Sequence, residues 1–298
     1  MKIIYLITAY KLPDQLIRLV TQLNTDEVNF FIHVDKKTDS NIQRKITEGL
    51  SSFQNVHFIE PINCTWGEFG QVKPILDGIR EIIDSKTEFD YVIQLTGQCY
   101  PIKSNRSIAD FLQTHAGKSF INYFTFPHPL AGSWTERYRY WHLNLGRWSL
   151  VFPKENMFST SILNRFWNPL ARRMTWRRKI PGNLKPYFGG SHWCLSKESI
   201  VYLDEYVQAH PEYVRFFSHY VQFPSEIFYQ TILLNSPLKD SLIDDDLFYI
   251  DFSSHKAHPA ILTMKDYDRL MSSSDLFARK FDMTVDGEVL DRIDKVIG

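Results

Sequence analysis

Clustered cysteines, long apolar runs, glycine-rich phosphate loops and net charge are all missing from this chain of 298 residues. Each absence excludes something. Three widely spaced cysteines, Cys64, Cys99 and Cys194, with no CxxC pair, are too few for a disulfide framework or a zinc site. No stretch reaches the roughly 20 apolar residues that span a bilayer as a helix. The opening MKIIYLITAY carries one lysine and a short apolar run, without the apolar length or small-residue cleavage site of a secretory signal. A reducing, cytoplasmic location is the resulting expectation. Lys+Arg and Asp+Glu are equal at 34 each, so overall charge gives no ground for nucleic-acid binding. Neither GxGxxG nor GxxxxGK[ST] occurs, which leaves a dinucleotide fold or a P-loop unsupported.

What is present is a regular alternation. IIYLITA (residues 3–9) is a β-rich apolar run, broken by Tyr10 to Pro13. Leu16, Leu19, Val20 and Leu23 then recur at helical spacing. FFIHVDKK predicts a strand ending at Asp35 to Lys37, Asn41 to Phe53 a helix, VHFIE a strand, Val72 to Ser85 a helix, and YVIQLTG a buried strand closed by Gly97. Strand–helix alternation of this kind predicts a parallel sheet with crossover helices. Ligands then sit beyond the carboxyl ends of the strands, at Tyr10-Lys11, Asp35-Lys36-Lys37 and Gly97 to Lys103. The second half reads less regularly. Residues 120–160 read as loops with short strands, FGGSHWCLS as a strand, Ser199 to Tyr220 as helix broken near Pro211, and Glu226 to Leu234 as a further helix. LFYIDF reads as a strand, and Lys265 to Met271 and Asp286 to Val296 as short helices. Aromatic residues make up 15 % of the chain, which fits either an aromatic core or a carbohydrate- or base-stacking surface.

Five segments carry a resemblance: HVDKK (33–37), YVIQLTGQCYPIKSN (91–105), GGSHWCLS (189–196), FPSEIFYQTILLNS (223–236) and LFARKFD (276–282). In this order they resemble the core-2/I-branching β-1,6-N-acetylglucosaminyltransferases and the related peptide O-xylosyltransferases, in a bacterial member. LFARKFD and Pro-x-Glu are the specific motifs, whereas HVDKK or GS-x-W alone is weak. The resemblance implies a single α/β catalytic unit of the GT-A type over 1–298, with a mixed, mostly parallel sheet flanked by helices. Residues 1–115 would bind the nucleotide sugar and 116–298 the acceptor. The implied reaction is inverting transfer from a UDP-sugar, UDP-N-acetylglucosamine foremost, to a glycan hydroxyl, with no cofactor and no metal.

Residue by residue, Glu226 is open to two readings. It is an acid in the first turn of a helix, stabilised by the macrodipole, or it is the catalytic base that the resemblance implies. Inverting transfer needs one carboxylate to take the acceptor proton, and a diphosphate leaves without the second acid that a glycosidase uses. The leaving charge still needs stabilising. Lys280 matches the family's phosphate lysine, with Arg279 adjacent; alternatively the two are a solvated pair. The family's second phosphate cation falls on Ala257, and Lys256 is its nearest substitute. Tyr10 and Asp35 complete the donor side, where the Asp35 carboxylate can accept from the uracil N–H. Arg137, Ser191, Trp193 and Phe252 are assigned to the acceptor, with core packing the alternative for the aromatics.

Asp244-Asp245-Asp246 contains an Asp-x-Asp pattern, but it reads as a solvated turn ahead of LFYIDF rather than a metal site. Cys99, standing where the family has an acidic residue, reads as a packing residue with no His or Arg obviously paired with it. The stretch Arg165 to Lys185 has seven basic residues and no acid, with Trp167 and Trp176 interleaved. It is either a solvated face or a peripheral contact with anionic lipid, which would suit a lipid-linked saccharide acceptor. Xylosyl transfer and a non-catalytic glycan-binding protein of the same fold are the rival readings. A nucleotidyltransferase would want an acidic pair beside the nucleotide strands.

Overall fold

A computed structural model of the chain describes residues 1–125, 134–145, 148–152, 178–253 and 258–298. The first half forms as the apolar pattern predicts. Strand β1 (Ile3–Ala9), helix α1 (Pro13–Leu23), β2 (Val28–Val34), α2 (Ser40–Leu50), β3 (Val56–Ile59), α3 (Lys73–Asp84) and β4 (Tyr91–Thr96) alternate along the chain. β1 pairs in parallel with both β2 and β4. It is apolar on both faces because both are covered. Ile3, Tyr5 and Ile7 pack with Leu16, Leu19, Leu23 and Ile46 on one side. Ile4 and Leu6 pack with Ile75, Ile79 and Ile82 on the other. A parallel strand buried on two faces needs such an unbroken apolar run.

After β4 come β5 (Cys99–Pro101), α4 (Asn105–Thr114) and β6 (Ser119–Ile121), then α5 (Glu136–Arg139) and the antiparallel hairpin β7 (Trp141–Leu145) and β8 (Trp148–Phe152). β9 (Trp193–Ser196), α6 (Lys197–Ala209), α7 (Pro211–Tyr220) and α8 (Phe228–Leu234) follow, and the chain closes with β10 (Leu242–Ile243), β11 (Phe248–Ile250), α9 (Tyr267–Ser272), β12 (Phe277–Arg279) and α10 (Glu288–Ile297). The main sheet runs β10-β6-β9-β4-β1-β2-β3. Only β9 is antiparallel to its neighbours, β4 and β6. The mixed, mostly parallel α/β sheet flanked by helices is therefore as expected, and it draws strands from both halves of the chain. A second sheet, β11-β12-β5, brings the late strand β12 antiparallel to β5.

Two local readings change. The sequence pattern does not predict helix α4; Ser104 starts it by accepting from the Ser107 N–H, the usual service of an N-cap serine. Glu226 does not begin a helix but ends a 3₁₀ turn, Pro224–Glu226, and α8 starts two residues later. No helix among the described residues is long and apolar enough to cross a membrane.

Candidate active site

Parallel register aligns the carboxyl ends of the central strands. Ala9 lies opposite Val34, and Thr8 opposite Thr96, so Tyr10, Asp35 and Gly97 emerge along one edge. Tyr10 is 58 % exposed and open to a ligand. The Asp35 carboxylate accepts from the Lys37 N–H at 2.9 Å, while the Asp35 N–H donates to Ala9 O at 2.9 Å. That leaves one Asp35 oxygen for a further donor.

The segment after β12 lies against this edge. Phe281 N–H donates to Gln98 O, and the Gln98 side chain returns a bond to Phe281 O, both at 2.9 Å. Buried Gln15 donates from Nε2 to Gly97 O (2.9 Å) and Phe281 O (3.2 Å) and accepts from the Met283 N–H (2.9 Å). One amide side chain thus ties α1, the end of β4 and the C-terminal segment together. Arg279 and Lys280 are held at the strand ends in consequence. Partial burial, with Lys11 and Arg279 close by, lowers the Lys280 ammonium below its ordinary pKa. Like charges crowded there favour an anionic ligand.

Glu226 sits a short loop away. Its carboxylate is half-buried and ion-paired with Arg137 Nη1. Burial raises its pKa, and the neighbouring guanidinium opposes that rise. Arg137 is clamped between rings, 3.7 Å above Trp134 and 4.8 Å from Phe223. Phe223 adopts a left-handed backbone (φ 50°), and its N–H donates to Gly67 O at 2.9 Å. Trp66 packs edge-on against Phe223 at 4.7 Å and lies 5.1 Å from His258, yet 58 % of it is exposed. An exposed tryptophan beside a candidate base is a natural sugar-stacking face, and sequence reading missed it. Its only signal was the WG pair ahead of α3.

The GGSH loop, residues 189–192, joins these two groups. Gly189 N–H donates to Glu226 O at 3.0 Å, and Gly190 O accepts from Gln230 Nε2 at 2.7 Å. A Cβ on Gly189 would stand 1.8 Å from Asn122 O, so only glycine lets the loop run so close. At the loop's far end, His192 Nδ1 faces Arg279 Nη1 at 3.5 Å and His192 Nε2 lies 3.8 Å from Cys99 Sγ. A guanidinium only donates, so Nδ1 accepts. Burial and the Arg279 charge together keep His192 neutral, well below its ordinary pKa.

Other expectations are corrected. Trp193 has no exposed surface and packs against Tyr229 at 5.8 Å; it is a core residue of β9 and offers no face to a sugar. Cys99 is indeed packed in the core, but it has the histidine neighbour that spacing could not reveal. Burial raises its thiol pKa, the opposite of what a reactive thiol needs. Of the acidic triplet, Asp244 and Asp245 are exposed, and Asp244 Oδ1 accepts from the Asn122 side chain and the Tyr123 N–H. Asp246 is no solvated-turn residue: its carboxyl faces Gly190, and burial pushes its pKa up to about 6. No cluster of metal-ligating side chains occurs among the described residues.

Ser191 is partly exposed, with Oγ 3.4 Å from His192 Nδ1, and Phe252 is 56 % exposed; both remain accessible. Lys256 lies outside the described residues, as do Trp167, Trp176 and the basic stretch up to residue 177. Within the part described, Arg178 Nη1 donates to Tyr140 O at 2.6 Å and its guanidinium covers Phe216, so this charge is turned toward protein.

A family model for the core-2/I-branching enzymes matches residues 3–271. The chain belongs to that family. The match ends before LFARKFD, so Arg279 and Lys280 fall outside the matched span. Xylosyltransferase 2 of Rattus norvegicus is 26 % identical over 98 % of this chain and 33 % of its own length. Xylosyltransferase oxt of Drosophila melanogaster is 24 % identical over 93 % of this chain and 31 % of its own length. The chain thus spans about a third of the length of these curated relatives. Among solved structures, the galactosyltransferase LgtC with donor and acceptor sugar analogues aligns over 99 % of this chain and 96 % of that chain, at 10 % identity and a TM-score of 0.44.

Proposed function

We propose that this core-2/I-branching family member is an inverting glycosyltransferase that moves a sugar from a UDP-sugar to a glycan hydroxyl without a metal ion. The observation that carries the reading is the GGSH loop, in which the Gly189 N–H bonds to the backbone carbonyl of Glu226 at one end and His192 reaches Arg279 at the other. Four residues of loop thus link the residue that carries the carboxylate to a cationic side chain, which supports the reading. The acceptor O–H loses its proton to Glu226 as its oxygen forms a bond to the anomeric carbon. The bond from that carbon to the diphosphate oxygen breaks on the opposite face, which inverts the centre, and UDP departs. Arg279 and Lys280 meet the charge that develops on the leaving oxygens. Tyr10 and Asp35 hold the uridine end. Trp66 and Phe252 supply exposed rings for the sugars, with Arg137 and Ser191 as polar contacts. Arg137 has a second part: by pairing with Glu226 it opposes the rise that burial imposes on the pKa of the base.

The donor sugar is N-acetylglucosamine in the first reading. Xylose is the second, favoured by the names of the curated relatives. The acceptor is a glycan or lipid-linked saccharide met in the cytoplasm, with the basic Trp-containing stretch at an anionic membrane face.

UDP release from UDP-N-acetylglucosamine and from UDP-xylose, measured with and without EDTA, tests the reading. Release from one of them that survives EDTA supports it. Release from neither sinks the enzyme reading. Loss in EDTA with rescue by manganese sinks the metal-free mechanism and returns attention to Asp246.

A further inference from the structure

We propose that Lys11 is a diphosphate-binding residue, forming with Arg279 and Lys280 a three-cation cradle at the carboxyl end of β1. The assignment rests on the UDP-sugar reading above and supplies a cation that the linear motifs do not identify.

Lys11 lies two residues past the end of β1, and its ammonium reaches across to Asp282 Oδ2 at 3.3 Å. Asp282 lies two residues beyond Lys280. The Gln15 side chain bridges Gly97 O, Phe281 O and the Met283 N–H, so buried bonds tie the helix next to Lys11 to the segment that follows Lys280, and the Lys11 charge acts on the Lys280 ammonium. Asp282 is the one carboxylate in contact with Lys11 among the described residues. Its other oxygen is committed to the Thr284 N–H and hydroxyl, at 3.1 and 2.6 Å.

Three cations and one carboxylate leave the cradle with excess positive charge. Two further observations suit an anion there. Arg279 Nε is enclosed and donates to no group among the described residues, and Lys11 keeps 35 % of its side chain exposed, within reach of a ligand. Lys11 adds a mobile point charge beside the planar guanidinium. Asp282 then acts as its resting partner, released when a diphosphate offers better oxygens. The plain alternative is an ion pair that ties the N- and C-terminal segments together, worth little on its own at the surface.

Calorimetric titration with UDP, uridine and inorganic pyrophosphate separates the two. Lys11→Ala is expected to weaken UDP and pyrophosphate by about tenfold or more, as for loss of a charged hydrogen bond, with uridine binding and melting temperature unchanged. Asp282→Asn is expected to hold or improve UDP affinity. UDP binding equal to the parent's in Lys11→Ala overturns the proposal. So does equal weakening of uridine, or a parallel loss of UDP affinity and melting temperature in Asp282→Asn. Lys11-dependent binding of pyrophosphate without binding of UDP keeps the cradle and removes the donor reading. A parent that binds neither removes both.

Discussion

The Arg137 guanidinium is ion-paired with the Glu226 carboxylate across 89 residues of chain, and it is held there by the rings of Trp134 and Phe223. In the proposed reaction, an acceptor hydroxyl approaching Glu226 meets a carboxylate that already has a partner. Whichever Glu226 oxygen Arg137 leaves open is the one able to take a proton.

Replacing Glu226 tests its role as the base. Glu226→Gln keeps the shape and loses the proton acceptor, so turnover is expected to fall by about 10²- to 10⁴-fold. UDP affinity should stay near the parent's. A variant with near-parental turnover would take Glu226 out of the mechanism.

The Arg137 pair makes a pH prediction. Burial pushes the Glu226 pKa up and Arg137 pulls it down. Arg137→Gln removes the opposing effect, so the folded-state pKa rises. The acidic limb of the kcat/KM profile, which reports the free enzyme, is expected to move to higher pH whatever happens to its height. A limb that stays put, or moves to lower pH, contradicts the pairing as described.

Lys280→Ala should weaken UDP binding by about tenfold and also slow transfer at saturating donor, because the leaving oxygens carry more charge in the transition state than in the bound donor. Uridine binding should not change. Lys280→Arg should restore part of both effects, since charge survives while geometry differs. If UDP binds the alanine variant as it binds the parent, Lys280 is a surface lysine.

Asp246 makes a stability prediction. Its folded pKa, about 6, lies above the ordinary value near 3.9, so the folded protein favours the protonated acid. Its contribution is fully present below about pH 4 and is lost as pH rises through about 6. Asp246→Asn removes the ionisation and can still accept from the Phe248 N–H, a bond of 3.1 Å. Denaturant unfolding should show the variant more stable by on the order of 2 kcal/mol at pH 7.5, with the gap closing toward pH 4. Equal stability at both pH values, or a less stable variant at pH 7.5, would refute the assignment.

The first half was legible because its information is local. IIYLITA, FFIHV and YVIQLT are long apolar strands, and Leu16 to Leu23 shows a helical stripe. What escaped depends on partners far apart in sequence. β9 enters the sheet between β4 and β6, but nothing in WCLS names those neighbours. Tryptophan suits both a core and a binding face, so spacing leaves Trp193 open between the two, and burial decides for the core. His192 beside Cys99, and Asp246 facing Gly190, follow from loop paths that no spacing encodes. Helix α4 carries few apolar positions, Ile108, Phe111 and Leu112, so its stripe is too weak to predict it.

The pairing of β12 with β5 also fixes when this protein can become competent during its own synthesis. A ribosome making the chain from its N-terminus delivers β1, α1, β2, α3 and β4 early, and those elements can settle against one another as they emerge. Arg279 and Lys280 come more than 180 residues after Thr96, the end of β4. Glu226 and the GGSH loop are thus translated before two of the three cations proposed for the diphosphate. On the proposed reading, a nascent chain halted ahead of Phe277 would carry Glu226 and Lys11 but lack Arg279 and Lys280, so the cradle would stay incomplete until the last strand is added.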